Sequence, residues 1–128
     1  MRVLTLIAEF KEGNTIALNL WPVDMDDDPD AFDELAQYAL EADALAEAEV
    51  EVHGKKFVAI YDAKAIGKSK PPVVHTTDGE ILQGRVMLAL SYGMGRICGL
   101  SNDDEEFLRK YLPEHIQEMA PLLTKHSK

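Results

Sequence analysis

The chain has a single cysteine and no long apolar run. Its one cysteine, Cys98, has no partner for an internal disulfide, which excludes a disulfide-stapled scaffold and agrees with a reducing compartment. No segment approaches the ~18 apolar residues of a membrane span. The apolar opening, Val3 to Ala8, is too short for a signal-peptide core and runs into Glu9. A soluble, cytoplasmic protein with no membrane association is the expectation. The 128 residues suit a single domain over 1–128, able to bury about two-thirds of its unfolded surface. Composition is that of a folded protein, with 46% hydrophobic and 28% charged residues.

The most informative absence is positive charge. Residues 12 to 54 contain thirteen Asp or Glu and no Lys or Arg, while the rest of the chain sets thirteen basic against ten acidic residues. Seven of those carboxylates gather between Asp24 and Glu34. Phe32, Leu35, Tyr38 and Leu40 interrupt the acidic stretch, so it is not a disordered acidic tail.

Complete catalytic motifs are also missing. Gly67-Lys68-Ser69 matches the end of a phosphate-binding loop, but Asp62 stands where the first glycine is needed. Gly93 to Gly99 has one residue too many for a dinucleotide fingerprint and lies too close to the C-terminus for a βαβ unit. Asp24, Asp26, Asp28 and Asp30 alternate as in a calcium loop, yet Pro29 replaces the turn glycine and Leu35 the bidentate glutamate. His115 and Glu118 share a helix face without a second such pair. Cys98 lies in an apolar, glycine-rich stretch, and Ser69 and Ser91 lack a nucleophile elbow. No catalytic residue, metal or cofactor is assigned. Asp62, His75 and Asp78 bracket a long loop and are where an assembled site would first be sought.

The pattern of residues predicts an α+β fold. Leu4, Leu6, Ala8 and Phe10 alternate with Val3, Thr5, Ile7 and Glu9, and the alternation resumes at Ile16, Leu18 and Leu20, which gives a hairpin ending near Trp21-Pro22. A capping Asp before Pro29 starts a helix to about Ala46, with Phe32, Leu35, Ala39, Ala42 and Ala46 as its apolar stripe. Val50 and Val52, alternating with Glu49, Glu51 and His53, begin a second hairpin that turns at His53-Gly54-Lys55-Lys56 into Phe57 to Tyr61. A loop from Asp62 to His75 follows. Thr77 and Glu80 have capping-box spacing, so a helix is read over Leu82 to Ile97, against the alternative of a buried strand at Val86 to Leu90. Ser101 to Glu106 starts a last helix, which Pro113 bends. The expected architecture is an antiparallel four-stranded sheet from two hairpins in ββα-ββα order, helices on one face and a C-terminal helical segment over 101–126. A pseudo-repeat of 1–47 and 48–99 goes with that order.

Two surfaces carry the functional expectation. The first is acidic: Asp24, Asp26, Asp27, Asp28, Asp30, Asp33, Glu34 and Glu41 form a loop and helix face suited to a basic protein partner, as in an inhibitor or immunity-type protein that imitates phosphate charge. Its plain counterpart is a hydrated face whose acids serve helix capping. The second is the loop 62–76, where Lys64, Lys68 and Lys70 would hold an anionic ligand and His75 would transfer a proton, as in a small enzyme or ligand-binding domain. Direct nucleic-acid binding is not expected, because no basic stripe is interleaved with aromatics. Val3, Ile7 and Trp21 favour a homodimer through the sheet if no helix covers them.

Overall fold

The computed structural model describes residues 1–11, 15–25, 28–64, 72–93 and 96–113. The alternating apolar residues of the first hairpin form β1 (Arg2–Lys11) and β2 (Thr15–Asp24), paired without a bulge from Arg2↔Asp24 to Lys11↔Thr15. Helix α1 (Pro29–Leu40) follows, then β3 (Leu45–Val52), β4 (Lys55–Asp62), β5 (Pro72–His75), β6 (Ile81–Gln83), β7 (Arg85–Gly93) and β8 (Arg96–Cys98). A second helix, α2, occupies 102–113.

The fold is α+β with a mainly antiparallel sheet, as the sequence indicates, but the sheet is larger than expected. Its order is β2-β1-β7-β4-β3, with β8 paired to β7, and β5-β6 form a separate hairpin. The segment read as a second helix is strand. β7 is central in the sheet between β1 and β4, a separate core layer covers each of its faces, and Val86, Met87, Leu88 and Ala89 are all fully buried. A strand covered on both sides needs an unbroken apolar run, and such a run carries no period that separates it from a helix. The segment Thr77 to Glu80 connects β5 to β6 instead, and Thr76, not Thr77, makes the bond to Glu80. Thr76 Oγ1 accepts the Glu80 amide at 3.0 Å, and Gly79 turns the chain at φ +89°. The final four residues of the expected loop are β5.

Strand neighbours point to opposite faces, so the two cores identify what lies on each. Leu4, Leu6, Phe57, Ala59, Val86 and Leu88 pack with Leu108 and Leu112 of α2 and with Val74 and Leu82 of the β5-β6 hairpin. Val3, Ile60, Met87 and Ala89 pack with Phe32, Ala36 and Leu40 of α1. The two helices therefore cover opposite faces, not one. Each fully buried Leu or Phe contributes about 1.5–3 kcal/mol, so both faces hold the sheet.

Helix α1 begins as its sequence predicts. Asp28 is the N-cap, its side chain accepts the Asp30 amide at 3.4 Å, and Pro29 opens the first turn. It ends six residues earlier than expected. Glu41 adopts the left-handed conformation (φ 54°, ψ 45°), and its amide reaches the Gln37 and Tyr38 carbonyls. Ala42 and Ala44 lie in the turn that follows, and Ala46 and Ala48 alternate with Glu47 and Glu49 as strand, so the end of the expected helix is a turn and the first residues of β3. The buried stripe is Phe32, Ala36 and Leu40, and Leu35 is exposed at 44%. Gly99 follows β8 and does not end a helix. It passes close to β1, where an added Cβ would stand 2.8 Å from the Arg2 nitrogen. Helix α2 continues to Pro113, and the chain beyond it, where the expected bend and helical segment would show, lies outside the described residues with His115 and Glu118.

Candidate functional site

The acidic surface is built by α1 and by β3. Asp24 is exposed at the end of β2, Asp28 at the helix cap, and Asp30, Asp33, Glu34 and Glu41 along the helix. Asp26 and Asp27 lie outside the described residues. On β3, Ala46, Ala48, Val50 and Val52 face the α2 side. By alternation Glu47, Glu49 and Glu51 face the α1 side, and all three are exposed. The fold thus adds three carboxylates to the surface read from the sequence. Glu49 and Glu51 are legible as strand residues by their alternation with Val50 and Val52 but were not assigned to the acidic surface, and Glu47 was hidden by the helical propensity of the Ala-rich segment before it.

Two cations of the same sheet face are already engaged. Arg85 lies 3.6 Å from Glu41 and donates to the Ala39 carbonyl at 3.1 Å, while Lys56 lies 3.8 Å from Glu49. Asp30, Asp33 and Glu34 have no basic side chain within ion-pair distance among the described residues. Between these charges stand apolar groups that cost free energy in water: Tyr38 is 85% exposed, and Leu35 lies one turn before it. Tyr38, Glu41, Asp43 and Arg85 line an open hollow of about 500 Å³.

The opposite face uses its acids differently. Asp104 is bound to Lys55 of β4 and Glu105 to Arg2 of β1, with both carboxylates buried. Asp104 also accepts from the Ser101 amide at 2.8 Å and hydroxyl at 2.9 Å, while Ser101 Oγ accepts the Asp104 amide at 3.2 Å. Ser101 and Asp104 thereby cap the start of α2 reciprocally. Burial pushes the Asp104 carboxyl up, but the bonds from Lys55 and Ser101 and the Lys55 charge outweigh it and hold the group below its ordinary range. Near this corner His53 stacks on Tyr111 with centroids 3.9 Å apart and planes 8° from parallel, and Lys55 lies 5.5 Å over Phe107.

The second expected surface is not drawn together in its described part. Lys64 is exposed, and its amide bonds Asp62 Oδ1 at 2.9 Å. Lys68 and Lys70, with the Gly67-Lys68-Ser69 segment, lie outside the described residues. Asp62 pairs with Leu45, whereas Thr76, next to His75, bridges Val50. Five residues of strand, about 17 Å, separate those points. Asp62 and His75 therefore stand apart. His75 instead borders an open hollow of about 380 Å³ with His53, Glu51 and Thr77. Burial, and then the Glu80 charge, push the Tyr61 phenol up from its ordinary value.

Among the described residues no three His, Cys, Asp or Glu side chains converge as metal ligands, and no helix is long and apolar enough to cross a membrane. Cys98 is a half-buried free thiol on β8. Comparison of the chain with protein-family models, with curated proteins and with solved structures finds no match in any of the three.

Proposed function

We propose that this protein is an interaction module whose α1-side face docks on a basic surface of another protein. The observation that carries this reading is the concentration of exposed Asp30, Asp33, Glu34, Glu41, Glu47, Glu49 and Glu51 on one side of the sheet, around the 85% exposed ring of Tyr38. Carboxylates fixed on a helix and a strand complement Lys and Arg that otherwise contact phosphates, and they steer association. Tyr38 and Leu35 supply apolar contact at the centre, where binding energy is normally concentrated. A nucleic-acid-binding protein is the partner class with the matching basic surface, so the role is that of an inhibitor or immunity-type protein.

The experiment is affinity capture from the native cell with the wild-type chain and with a variant carrying Asp30→Lys, Asp33→Lys, Glu34→Lys and Glu47→Lys, at low and high salt. Circular dichroism verifies that the variant folds. A basic protein held at low salt by the wild type and lost by the variant is the expected result. Equal capture by both chains removes the acidic face from the function.

A further inference from the structure

The main sheet has two outer strands, and they are protected very differently. β3 carries Glu47, Glu49 and Glu51, and the β5-β6 hairpin lies along it through the Val50↔Thr76 bridge and the bond from the Thr77 amide to the Glu49 carbonyl at 2.9 Å. Charge and cover are the usual protections of a sheet edge. β2 has neither. Its ten residues carry no charge before Asp24, run in unbroken register with β1, and have no strand on their outer side among the described residues. Trp21 is 60% exposed on it.

The hydrogen bonds fix which β2 groups point outward. Met1 and Met25 exchange both of their bonds, at 2.9 and 2.6 Å. Bonded and non-bonded pairs alternate along an antiparallel ladder, so Val3↔Val23, Thr5↔Trp21 and Ile7↔Asn19 are bonded, and Leu4↔Pro22, Leu6↔Leu20 and Ala8↔Leu18 are not. The bonds of the Arg2 carbonyl to the Leu100 amide and of the Ala8 amide to the Gly84 carbonyl agree, since both lead away from β2. The backbone groups of Ile16, Leu18 and Leu20 consequently face outward. Pro22 falls in the same outward set, where its missing N–H costs no internal bond.

We infer that β2 pairs antiparallel with β2 of a second copy of this chain, about a two-fold axis at Leu18. The edge has no charge with which to select a foreign strand, but it is complementary to itself. With Leu18 opposite its own copy, Leu20 meets Ile16 and Asn19 meets Ala17, so outward groups face outward groups and the segment that pairs, Thr15 to Trp21, contains no charged residue. Pro22 then lies opposite residue 14, beyond the partner strand. Any register that brings Pro22 into the ladder forfeits a bond. Residues of equal parity face each other, so the axis is perpendicular to the sheet and both acidic faces lie on the same side of the dimer. Of the three residues that favoured a dimer on sequence, Val3 is covered by α1 and Trp21 is open at this edge.

Sedimentation equilibrium of the full chain, from micromolar to millimolar, tests this pairing. The expected species has twice the 14.2 kDa chain mass. Leu18→Pro removes an outward donor and leaves the β1 ladder intact, and Asn19→Lys changes only an exposed side chain. Each is expected to weaken the dimer about tenfold or more, with unchanged circular dichroism in Asn19→Lys. A monomer at millimolar concentration, or a dimer unmoved by Asn19→Lys, overturns the inference. Neither result bears on the acidic face, which lies on α1 and β3.

Discussion

The two helices begin with nearly the same chemistry and use it in opposite ways. Asp28, Asp30, Asp33 and Glu34 open α1, and Asp103, Asp104, Glu105 and Glu106 open α2. The acids of α2 meet cations that project from the strands beneath, Arg2 on β1 and Lys55 on β4, so Asp104 and Glu105 are buried and paired. Under α1 the corresponding strands present Val3, Ile60 and Met87. The cations of that face, Lys56 and Arg85, stand beside Glu49 and Glu41. An acidic helix start thus becomes a structural clamp or an open surface according to the strand residues below it. Helix-dipole compensation is common to both and separates nothing.

The comparison breaks most visibly at the core that seats α2. Leu108→Ala is expected to cost about 2–5 kcal/mol in urea unfolding, because Leu108 is fully buried among both hairpins. A loss below about 1 kcal/mol would mean that the ion pairs, not packing, hold α2. Asp104→Asn comes next, at about 1–3 kcal/mol, whereas Asp30→Asn and Asp33→Asn should stay within about 0.5 kcal/mol. The pH dependence distinguishes the same residues. Asp104 has its carboxyl lowered in the fold, so its contribution is complete above the ordinary value of 3.8 and is lost as the pH falls through the lower folded value. Wild type and Asp104→Asn should therefore differ most near neutrality and converge in acid. A constant gap would exclude titration of Asp104 as the cause.

Legibility of the fold followed the periodicity of each segment. β1 and β2 were readable by alternation on either side of a polar turn, β4 because the His53-to-Lys56 turn precedes the short apolar run Phe57 to Tyr61, and the start of α1 because Asp28-Pro29 is a local signal. β7 was not, since burial on both faces erases the alternation. The end of α1 was lost for another reason: Ala42 to Ala46 favours helix locally, whereas the chain turns after Glu41 and becomes strand from Leu45 through pairing with β4, which is a tertiary fact. The same tertiary fact concealed Glu47, while Glu49 and Glu51, legible as strand residues, join the acidic face only because α1 packs on their side of the sheet. Exposure of Leu35 was hidden because both candidate stripes have helical spacing, and only the Phe32-Ala36-Leu40 contacts choose between them.

Smaller changes sharpen the account of α1 itself. Asp28→Ala should cost about 1 kcal/mol through loss of the N-cap, measured by thermal unfolding, with no effect on α2. An equal loss in both helices would mean that the α1 cap is coupled through the sheet to the opposite face.

The smallest expected effect is at the other end of the helix, where Glu41 joins two roles. Its left-handed backbone (φ 54°) is costly for any residue with a Cβ, by about 1 kcal/mol. Its carboxylate meanwhile lies 3.6 Å from Arg85, and both side chains are substantially exposed. Such an exposed pair contributes about 0–1 kcal/mol. Glu41→Gly removes the strain and the pair together, while Glu41→Ala removes only the pair. The glycine variant should be more stable than the alanine variant by about 0.5–1 kcal/mol in urea unfolding. If the two are equal, the backbone at residue 41 relaxes without its Glu side chain. Arg85 would then be what holds the chain in the left-handed turn, and the acidic face would owe its rigidity at that end to one of its own cations.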